Sequence, residues 1–478
     1  MKISTKKILL VNPWIYDFAA YDFWIKPLGL LSIGSILAKY GFEVSLIDCL
    51  DRFHPVYGQK YSHRQLSRKD GTGKFIREIV DKPSVLSHIP RHFARYGMPL
   101  ELFNSLIDHI EIPDVILITS MMAYWYLGPF KAIELLKKKF PDTPVVLGGI
   151  YTTLFPEHAK ENSGADLVIP EANEKTALLK VAELTGTSID MTSHPPDWSQ
   201  LPLPDFRYYP NLGSVALITS KGCPYNCSFC ASRRISGQFE QRAAGDIIDQ
   251  ITYYALSRGV RHFAFFDDAL LIDADNHILT ILEAVHERHL NVHFHTPNGL
   301  HAKEITLEIA RIMHATNFKT IRLSFESSNK ERQRDMSYKV TDESLCQAID
   351  HLVCAGYKPK DIDVYVIMGL PGQDISEVVQ SMLFVTSLGA KVRLSSFSPI
   401  PGTRDWDRSV QEFGFPGDAD PLLTNNTILP LHLSDGLHDK FQELRFMSKV
   451  LNYSLDQGIN LFNDSDLASI IKRLMIPQ

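Results

Sequence analysis

Three cysteines lie close together near the middle of the chain, in the segment KGCPYNCSFCASR. Cys223, Cys227 and Cys230 are separated by three and two residues, so three thiolates occur within eight residues. Thiolates are soft ligands that favour zinc or iron–sulfur clusters. A structural zinc site needs four protein ligands, and no fourth Cys or His lies nearby in the sequence. Three ligands on a cubane iron–sulfur cluster would leave one iron open to a small molecule. Zinc binding and inert buried cysteines are the alternatives.

The cysteine segment directly follows the first of six strand-like segments in residues 214–404. Amphipathic helical segments lie between them, which predicts six consecutive β/α units. Such a run indicates a curved parallel sheet, a partial (β/α)6 relative of the TIM barrel, with its site at the carboxyl ends of the strands. The strand-like segments are 215–219, 262–266, 292–296, 320–325, 363–368 and 392–397.

A separate alternating pattern occupies residues 1–187 and predicts an α/β domain with a doubly wound parallel sheet of the Rossmann type. Its strand-like segments are 7–12, 42–50, 114–120, 144–147 and 165–169. An insertion at 52–97 carries ten Lys or Arg and three Asp or Glu. We interpret it as a solvated excursion, a lid or a contact for an anionic substrate.

The remaining segments are predicted as connections and a tail. Residues 188–213 include five prolines, which favours a fairly stiff linker between two domains. Residues 405–478 are predicted to form a helical C-terminal region, with helices at 435–455 and 466–474.

The cysteine spacing, with aromatic Phe229 before the last cysteine, resembles the signature of the radical S-adenosylmethionine (SAM) superfamily. The resemblance implies a [4Fe-4S] cluster on Cys223, Cys227 and Cys230, whose open iron chelates the amino and carboxylate groups of SAM. In that family an electron from the cluster cleaves SAM to a 5′-deoxyadenosyl radical, which abstracts hydrogen from the substrate. It also implies an electron donor such as flavodoxin or ferredoxin, and anaerobic function.

Other residues near the ends of the predicted strands resemble the SAM site of the same family. An aspartate doublet follows the second strand, where a carboxylate can accept hydrogen bonds from the SAM ammonium. Glu326 resembles the residue that contacts the ribose or methionine part, and Lys339 matches a basic position suited to the SAM carboxylate. The segment IMGLPGQ is similar to the place where backbone approaches the adenine. The implied SAM contacts are Phe229, Asp267, Asp268, Asn298, Ser324, Glu326, Lys339, Met368 and Gly369.

The first domain resembles the cobalamin-binding domain that precedes many radical SAM cores, in the pieces VNP, KPLGLLSIGSILAKYGFEV, ITS, VVLGG and GADLVIPEANE. The D-x-H-x-x-G motif, whose histidine would ligate cobalt, is absent, which implies base-off cobalamin without a protein His ligand. The acidic-glycine signature after the fifth strand also lacks its glycines. The alternative is a domain that has lost the cofactor and serves as a platform. The implied cobalamin contacts are Asn12, Ser120, Gly148, Gly149 and Thr152.

Together these resemblances imply a cobalamin-dependent radical SAM methyltransferase that methylates an unactivated carbon of a small-molecule or lipid-like substrate. One alternative is a cobalamin-independent radical SAM enzyme that performs a cyclisation or rearrangement, with the first domain as a scaffold. Another is a metal- or cobalamin-responsive regulatory binder.

The overall composition argues against several other classes. With 45% apolar and 22% charged residues, the chain has an ordinary globular balance. Its net charge of −6 argues against binding polyanions along the whole chain, and no recognised RNA-binding fold accompanies the basic insertion. No apolar run approaches the roughly 18 residues needed to span a bilayer. Six cysteines are too few for a disulfide scaffold, so we expect a cytoplasmic protein.

Overall fold

The structure is a computed structural model of the 478-residue chain, and it describes residues 5–58, 67–171, 173–193, 195, 197–432 and 438–459. The chain folds into two compact units. The first comprises Met1–Ala216 and Asp420–Thr424, and the second comprises Leu217–Ala419 and Asn425–Gln478. The predicted helix at 466–474 lies outside the described residues. None of the helices in the described part of the chain combines the length and apolar character that crossing a bilayer requires.

The first unit contains eight strands and six α-helices in its described part. Its strands are β1 Lys7–Asn12, β2 Ile15–Asp17, β3 Glu43–Asp48, β4 Arg77–Ile79, β5 Ala94–Tyr96, β6 Val115–Ser120, β7 Val145–Gly149 and β8 Leu167–Val168. Its helices are α1 Leu28–Lys39, α2 Leu100–Asp108, α3 Leu127–Lys139, α4 Ile150–Leu154, α5 Pro156–Asn162 and α6 Glu174–Thr185.

A five-stranded parallel sheet forms the centre of this unit. Its strands lie in the order β3-β1-β6-β7-β8, which is a doubly wound order, and every neighbouring pair is parallel. Strands β1 and β6 are almost wholly buried, and their sequences KILLVN and VILITS are accordingly near-continuous apolar runs. The predicted doubly wound parallel sheet is confirmed.

The basic insertion and the proline-rich segment both contribute to the first unit. Strand β5 of the insertion lies between β2 and β4 in a separate three-stranded sheet and pairs antiparallel with both. In the proline-rich segment, the side chains of Phe206 and Tyr209 are fully buried, and the Tyr209 hydroxyl donates a hydrogen bond to Asp48 Oδ2 at 2.7 Å. Phe206 and Tyr209 of the segment that we predict as a linker are therefore buried within the first unit.

The second unit contains nine strands and nine α-helices in its described part, the first strand beginning at the boundary between the units. Its strands are β9 Val215–Leu217, β10 Ser220–Lys221, β11 Glu240–Gln241, β12 His262–Phe265, β13 His293–His295, β14 Leu300–His301, β15 Phe318–Glu326, β16 Ile362–Met368 and β17 Lys391–Ser396. Its helices are α7 Ser232–Ser236, α8 Ala244–Ser257, α9 Ile278–Glu287, α10 Leu307–Ala315, α11 Lys330–Asp335, α12 Asp342–Cys354, α13 Ile375–Ser387, α14 Arg404–Phe413 and α15 His438–Gln457.

The main sheet of the second unit has the strand order β17-β16-β15-β13-β12-β9, with β14 pairing beside β15. The six principal strands follow one another in chain order, which confirms the predicted run of six β/α units. Strands β9 and β17 are the two edges, so the sheet of the described residues is an open relative of the barrel. The carboxyl ends of parallel strands meet at one edge of a sheet, and this edge positions the candidate site.

The C-terminal region divides between the two units. Helix α15 corresponds to the predicted helix at 435–455. Asp420–Thr424 instead belongs to the first unit, where the carboxylate of Asp420 accepts hydrogen bonds from the Tyr126 hydroxyl at 3.1 and 3.2 Å. In the described part of the predicted helical region, the α-helices are α14 and α15, and Asp420–Thr424 between them belongs to the first unit.

Candidate active site

All three cysteines of the central segment line one cavity of about 420 Å³ in the second unit. They lie on the loop between β10 and α7, and none of them forms a disulfide. Three thiols on the wall of one cavity are a donor set that fits an iron–sulfur cluster, which proteins hold with Cys thiolates. Each thiolate of such a cluster binds a different iron, so the three need not converge on a single ion, and within the described residues no group of three or more His, Cys, Asp or Glu side chains does so. We call residues 223–230 the cysteine loop.

Burial controls the chemistry of the central cysteine. Cys227 is only 8% exposed, and burial raises the pKa of its thiol to about 12, although the nearby charge of Lys339 opposes this shift. A cysteine binds a metal as the thiolate. Binding of a cluster here therefore releases a proton from a thiol that otherwise keeps it at neutral pH.

The same cavity contains two carboxylates and one cation. Asp268 and Glu326 line it together with Lys339, and the Asp268 carboxylate accepts a hydrogen bond from the Ser232 hydroxyl. Burial raises the pKa of both carboxyls, and the charge of Lys339 opposes the rise in each case. A carboxylate and an ammonium group on one cavity complement the ammonium and carboxylate of an amino-acid ligand.

The backbone at Glu326 adopts a conformation that non-glycine residues rarely take. Its φ angle is 75°, and the register between β15 and β16 shifts between Ser324 and Glu326. A bulge of this kind redirects a side chain, and a positive φ costs about 1–3 kcal/mol. The fold therefore holds Glu326 on the cavity at the expense of local strain, as is typical of binding sites.

Three further predicted SAM contacts also line the cavity, namely Phe229, Asn298 and Ser324. Asn298 Nδ2 donates to the carbonyl oxygen of Phe266 at 3.0 Å, which ties the loop after β13 to the end of β12. The strand ends therefore bring together residues that are about a hundred positions apart in the sequence.

Asp267 does not line the cavity, in contrast to its neighbour Asp268. Its Oδ1 atom accepts hydrogen bonds from the backbone N–H and hydroxyl of Thr219, at 3.0 and 2.7 Å, and from the same groups of Ser220, at 2.5 and 2.7 Å. Burial raises the pKa of Asp267 to about 6. This carboxyl group therefore holds the chain just before the cysteine loop and does not face the cavity.

Met368 and Gly369, at the end of β16, also lie away from the cavity wall. Met368 is fully buried, and the Gly369 N–H donates to Gln373 Oε1 at 2.8 Å. A Cβ added at Gly369 would lie 3.4 Å from the ring of His432. Packing of this turn against the C-terminal segment covers the backbone that we predict to approach the adenine.

Several lining residues are missing from the sequence prediction. Tyr225 lines the cavity from within the cysteine loop, and its hydroxyl donates to Glu304 Oε1 at 2.9 Å. The Tyr365 hydroxyl donates to the carbonyl oxygen of Pro297 at 3.0 Å. The cluster of hydroxyls at the end of β17 is the signal in the sequence that could have revealed this wall. The other hydroxyl-bearing lining residues outside the prediction are Ser232, Ser395, Ser396 and Ser398.

A second, smaller cavity of about 150 Å³ lies in the first unit, lined by residues of α1, β6, β7 and α6. Gly148 and Gly149, two of the predicted cobalamin contacts, line it. A Cβ added at Gly148 would meet nothing within 4 Å, so this position faces open space. Gly149 has a φ of 99°, and a Cβ there would lie 2.6 Å from the Ser120 carbonyl oxygen, so the turn itself requires glycine.

The other three predicted cobalamin contacts do not line this cavity, and their polar groups form hydrogen bonds with the protein. Asn12 Nδ2 donates to Asp48 Oδ1 at 2.6 Å. The Ser120 hydroxyl donates to the Met122 carbonyl oxygen at 2.9 Å, and the Thr152 hydroxyl donates to carbonyl oxygens of the neighbouring backbone. These side chains stabilise the ends of the strands.

Residues 217–385 match the model of the radical SAM superfamily, so this part of the chain is a radical SAM domain. A relative in Streptomyces wedmorensis, cytidylyl-2-hydroxyethylphosphonate methyltransferase, is 21% identical over 466 residues. The alignment covers 83% of this chain and 80% of the relative.

Two solved structures of cobalamin-related radical SAM proteins share the fold. The methyltransferase TsrM from Kitasatospora setae, with tryptophan substrate and a SAM analogue bound, has a TM-score of 0.62 at 14% identity, covering 91% of this chain and 82% of its own. The cobalamin-dependent enzyme OxsB, with aqua-cobalamin and SAM bound, has a TM-score of 0.55 at 14% identity, covering 85% of this chain and 55% of its own. The predicted fold class is therefore confirmed.

Proposed function

We propose that this chain is a cobalamin-dependent radical SAM enzyme that methylates an unactivated carbon of a small molecule. One observation carries the proposal: three free thiols, the Asp268 carboxylate and the Lys339 ammonium line a single cavity of a radical SAM domain. The doubly wound first unit, the methyltransferase relative and the two cobalamin-related structures support the cobalamin-dependent form of the reaction.

In this proposal the cysteine loop holds a [4Fe-4S] cluster and the rest of the cavity holds SAM. When bound, these groups supply one-electron cleavage of SAM and hydrogen abstraction from the substrate. The Asp268 carboxylate accepts hydrogen bonds from the SAM ammonium, and the Lys339 ammonium donates to its carboxylate. Glu326, aimed by the bulge in β15, accepts hydrogen bonds from the ribose hydroxyls.

The apolar part of the cavity wall has a separate role. Phe229, Ile367 and Phe397 line the cavity beside the polar groups. Phe397 is 2% exposed and Ile367 is 4% exposed, so this part of the wall is buried. Such a wall excludes water from a reactive carbon radical and strengthens the charge pairs formed with SAM.

The cavity of the first unit is the proposed place for the nucleotide tail of cobalamin. Its wall includes the apolar side chains of Leu30, Ile33 and Val146, and Gly148 leaves the backbone open to close approach. An aromatic base fits such a lining through apolar contact. When bound, cobalamin supplies the methyl group. We propose base-off binding without a protein His ligand.

A cobalamin-independent radical SAM enzyme is the second candidate, and a specific observation favours it. The hydroxyls of Ser120 and Thr152, which we predict to bind the cobalamin tail, are bonded to backbone carbonyls of the first unit. In that case the first unit is a scaffold and the radical performs a cyclisation or rearrangement.

The proposal also requires a source of electrons. Reductive cleavage of one SAM consumes one electron, and returning cobalamin to the state that accepts the next methyl group would consume a second. The lining residues of the cavity carry no redox group except the cysteines. A small redox protein such as flavodoxin or ferredoxin is the proposed donor, in the reduced environment of the cytoplasm.

The test is anaerobic reconstitution of the full chain with iron, sulfide and hydroxocobalamin, followed by gel filtration and visible absorbance. Reductant and SAM are then added, and 5′-deoxyadenosine and S-adenosylhomocysteine are measured. Retained cobalamin with both products supports the methyltransferase. Deoxyadenosine without retained cobalamin supports the second candidate, and absence of deoxyadenosine with a loaded cluster contradicts both.

A further inference from the structure

We infer that a buried pair, Ser228 and Asp405, positions the cysteine loop and tunes the reduction potential of the cluster that it holds. Ser228 lies between Cys227 and Cys230, and Asp405 lies in the first turn of α14. The inference deepens the proposed function, because its effect on potential requires a cluster on the loop.

Every polar group of Ser228 bonds to a residue outside the loop. Its hydroxyl donates to Asp405 Oδ2 at 2.7 Å, its carbonyl oxygen accepts from the Asp405 N–H at 3.0 Å, and its own N–H donates to the Asp335 carbonyl oxygen at 3.2 Å. Ser228 is 6% exposed and Asp405 is 2% exposed, so these bonds are largely buried, although both residues line a cavity of about 360 Å³. Buried hydrogen bonds to a carboxylate are among the strong ones.

A second connection reaches the loop from the same helix. Arg404 Nη2 donates to the Asn226 carbonyl oxygen at 3.1 Å and to the Asp335 carbonyl oxygen at 2.6 Å. Helix α14 therefore holds the middle of the cysteine loop at two consecutive positions, and the end of α11 holds it at a third. We call Ser228, Asp335, Arg404 and Asp405 the loop clamp.

The buried charge at Asp405 needs an explanation, because burying a carboxylate is costly unless it is paired. Its Oδ1 atom has the Arg408 guanidinium at 3.4 Å, Arg408 is itself one-third exposed, and Arg332 and Arg404 line the same cavity as Asp405. Reducing a cluster would add negative charge to the loop to which this carboxylate is hydrogen-bonded, which disfavours the reduced state. Charge and hydrogen bonding near the sulfurs set the potential of iron–sulfur clusters. The loop clamp therefore fixes the cysteine loop, and one of its members, Asp405, also lowers the reduction potential of the cluster.

Two variants separate these effects. Asp405→Asn keeps the shape and an acceptor for Ser228 but removes the charge, whereas Ser228→Ala removes the hydroxyl and keeps the charge. Asp407→Asn is the matched control, because it makes the same charge change on an exposed position of the same helix. The reduction potential is measured by titration of the reconstituted full chain without SAM, monitored by electron paramagnetic resonance. The metal-free protein is also treated with iodoacetamide, and the rate of alkylation of the loop cysteines is measured.

We expect Asp405→Asn to increase the equilibrium constant for reduction about tenfold, which is 59 mV for one electron. Asp407→Asn should change it by less than about twofold. We expect Ser228→Ala to speed alkylation of the loop cysteines at least about fivefold, because one anchor of the loop is lost.

Equal potentials in Asp405→Asn and Asp407→Asn would overturn the electrostatic part of the inference. Wild-type alkylation rates in Ser228→Ala would overturn the positioning part. The thermal midpoint of each metal-free variant shows whether it folds. If Asp405→Asn does not fold, the alkylation rate of Ser228→Ala tests the positioning part by itself: a faster rate supports it and the wild-type rate overturns it. A wild-type chain that takes up no cluster would contradict the proposed function, while the alkylation rates would still test the clamp.

Discussion

Lys339 is the single cationic side chain that lines the active-site cavity in the described part of the chain. Its charge opposes the effect of burial on the pKa of Asp268, Glu326 and Cys227. We therefore expect Lys339 to pair with the carboxylate of SAM. Lys339→Met keeps the length of the side chain and removes the charge.

The expected loss follows from the strength of a hydrogen bond to a charged group, about 1.5–3 kcal/mol. Each 1.4 kcal/mol is a factor of ten in the dissociation constant, so SAM should bind about 10- to 150-fold more weakly. Lys339 is half-buried, and partial screening by water favours the lower part of this range.

The assay is calorimetric titration of SAM into anaerobically reconstituted protein, with iron content measured in the same samples. Lys303→Met is the matched control, because Lys303 is exposed and does not line the cavity. SAM affinity within about twofold of wild type in Lys339→Met, at equal iron content, would refute the reasoning. An equal loss in Lys303→Met would show that net charge, and not the pairing, controls binding.

Three other substitutions have outcomes that follow from the structure. Gly149→Ala places a Cβ 2.6 Å from a carbonyl oxygen at a φ of 99°, so the thermal midpoint of this variant should fall by at least about 2 °C in scanning fluorimetry. A Cβ at Gly148 meets nothing within 4 Å, so Gly148→Ala should have the midpoint of wild type. Burial raises the pKa of Asp51 to about 6, so the native state binds a proton more tightly than the unfolded state, and stability is lost as the pH rises from about 4 to about 6. Asp51→Asn should remove this loss, up to about 3 kcal/mol, and thermal midpoints that fall equally with pH in both proteins would count against it. Asp267→Ala leaves two backbone N–H donors without their acceptor, so the free energy of unfolding measured in urea should fall by about 2–6 kcal/mol. An unchanged urea midpoint would contradict this.

The sequence predicts the second unit well because its pattern is repetitive. Each strand is followed by a helix, and right-handed connections then force the strands into chain order and their carboxyl ends to one edge. This placement is enough to bring Asp268, Asn298 and Glu326 to the cavity of the cysteine loop. The identity of the metal group, in contrast, comes from the spacing of the cysteines alone.

The aspartate doublet shows where this reasoning stops. Successive residues in an extended chain point to opposite sides, so at most one of Asp267 and Asp268 can face the cavity. The sequence does not show which of the two aspartates faces the cavity, because their orientation depends on the twist of the chain at the end of β12. The structure assigns the cavity to Asp268 and gives Asp267 to the backbone before the cysteine loop.

The sequence predicts less of the first unit, because its details depend on short local hydrogen bonds. Ser and Thr hydroxyls readily bond to nearby carbonyls, as Ser120 and Thr152 do, so they are weak evidence for a ligand. The strands of the insertion are three residues each, which is too short to show a period. The prolines of 188–213 favour a stiff linker, but the aromatic residues among them favour burial. Tyr209, which is hydrogen-bonded to Asp48, shows that burial is the better guide here.

The most direct test of the account is the formation of 5′-deoxyadenosine by the reconstituted protein with SAM and reductant. It is measured for wild type, for Cys227→Ala and for Cys354→Ala, whose cysteine is exposed on α12. The account predicts that wild type and Cys354→Ala bind about four irons per chain and form deoxyadenosine, and that Cys227→Ala loses at least about 99% of this activity. Equal activity in Cys227→Ala and wild type, or a loaded wild-type cluster that leaves SAM intact, would contradict it.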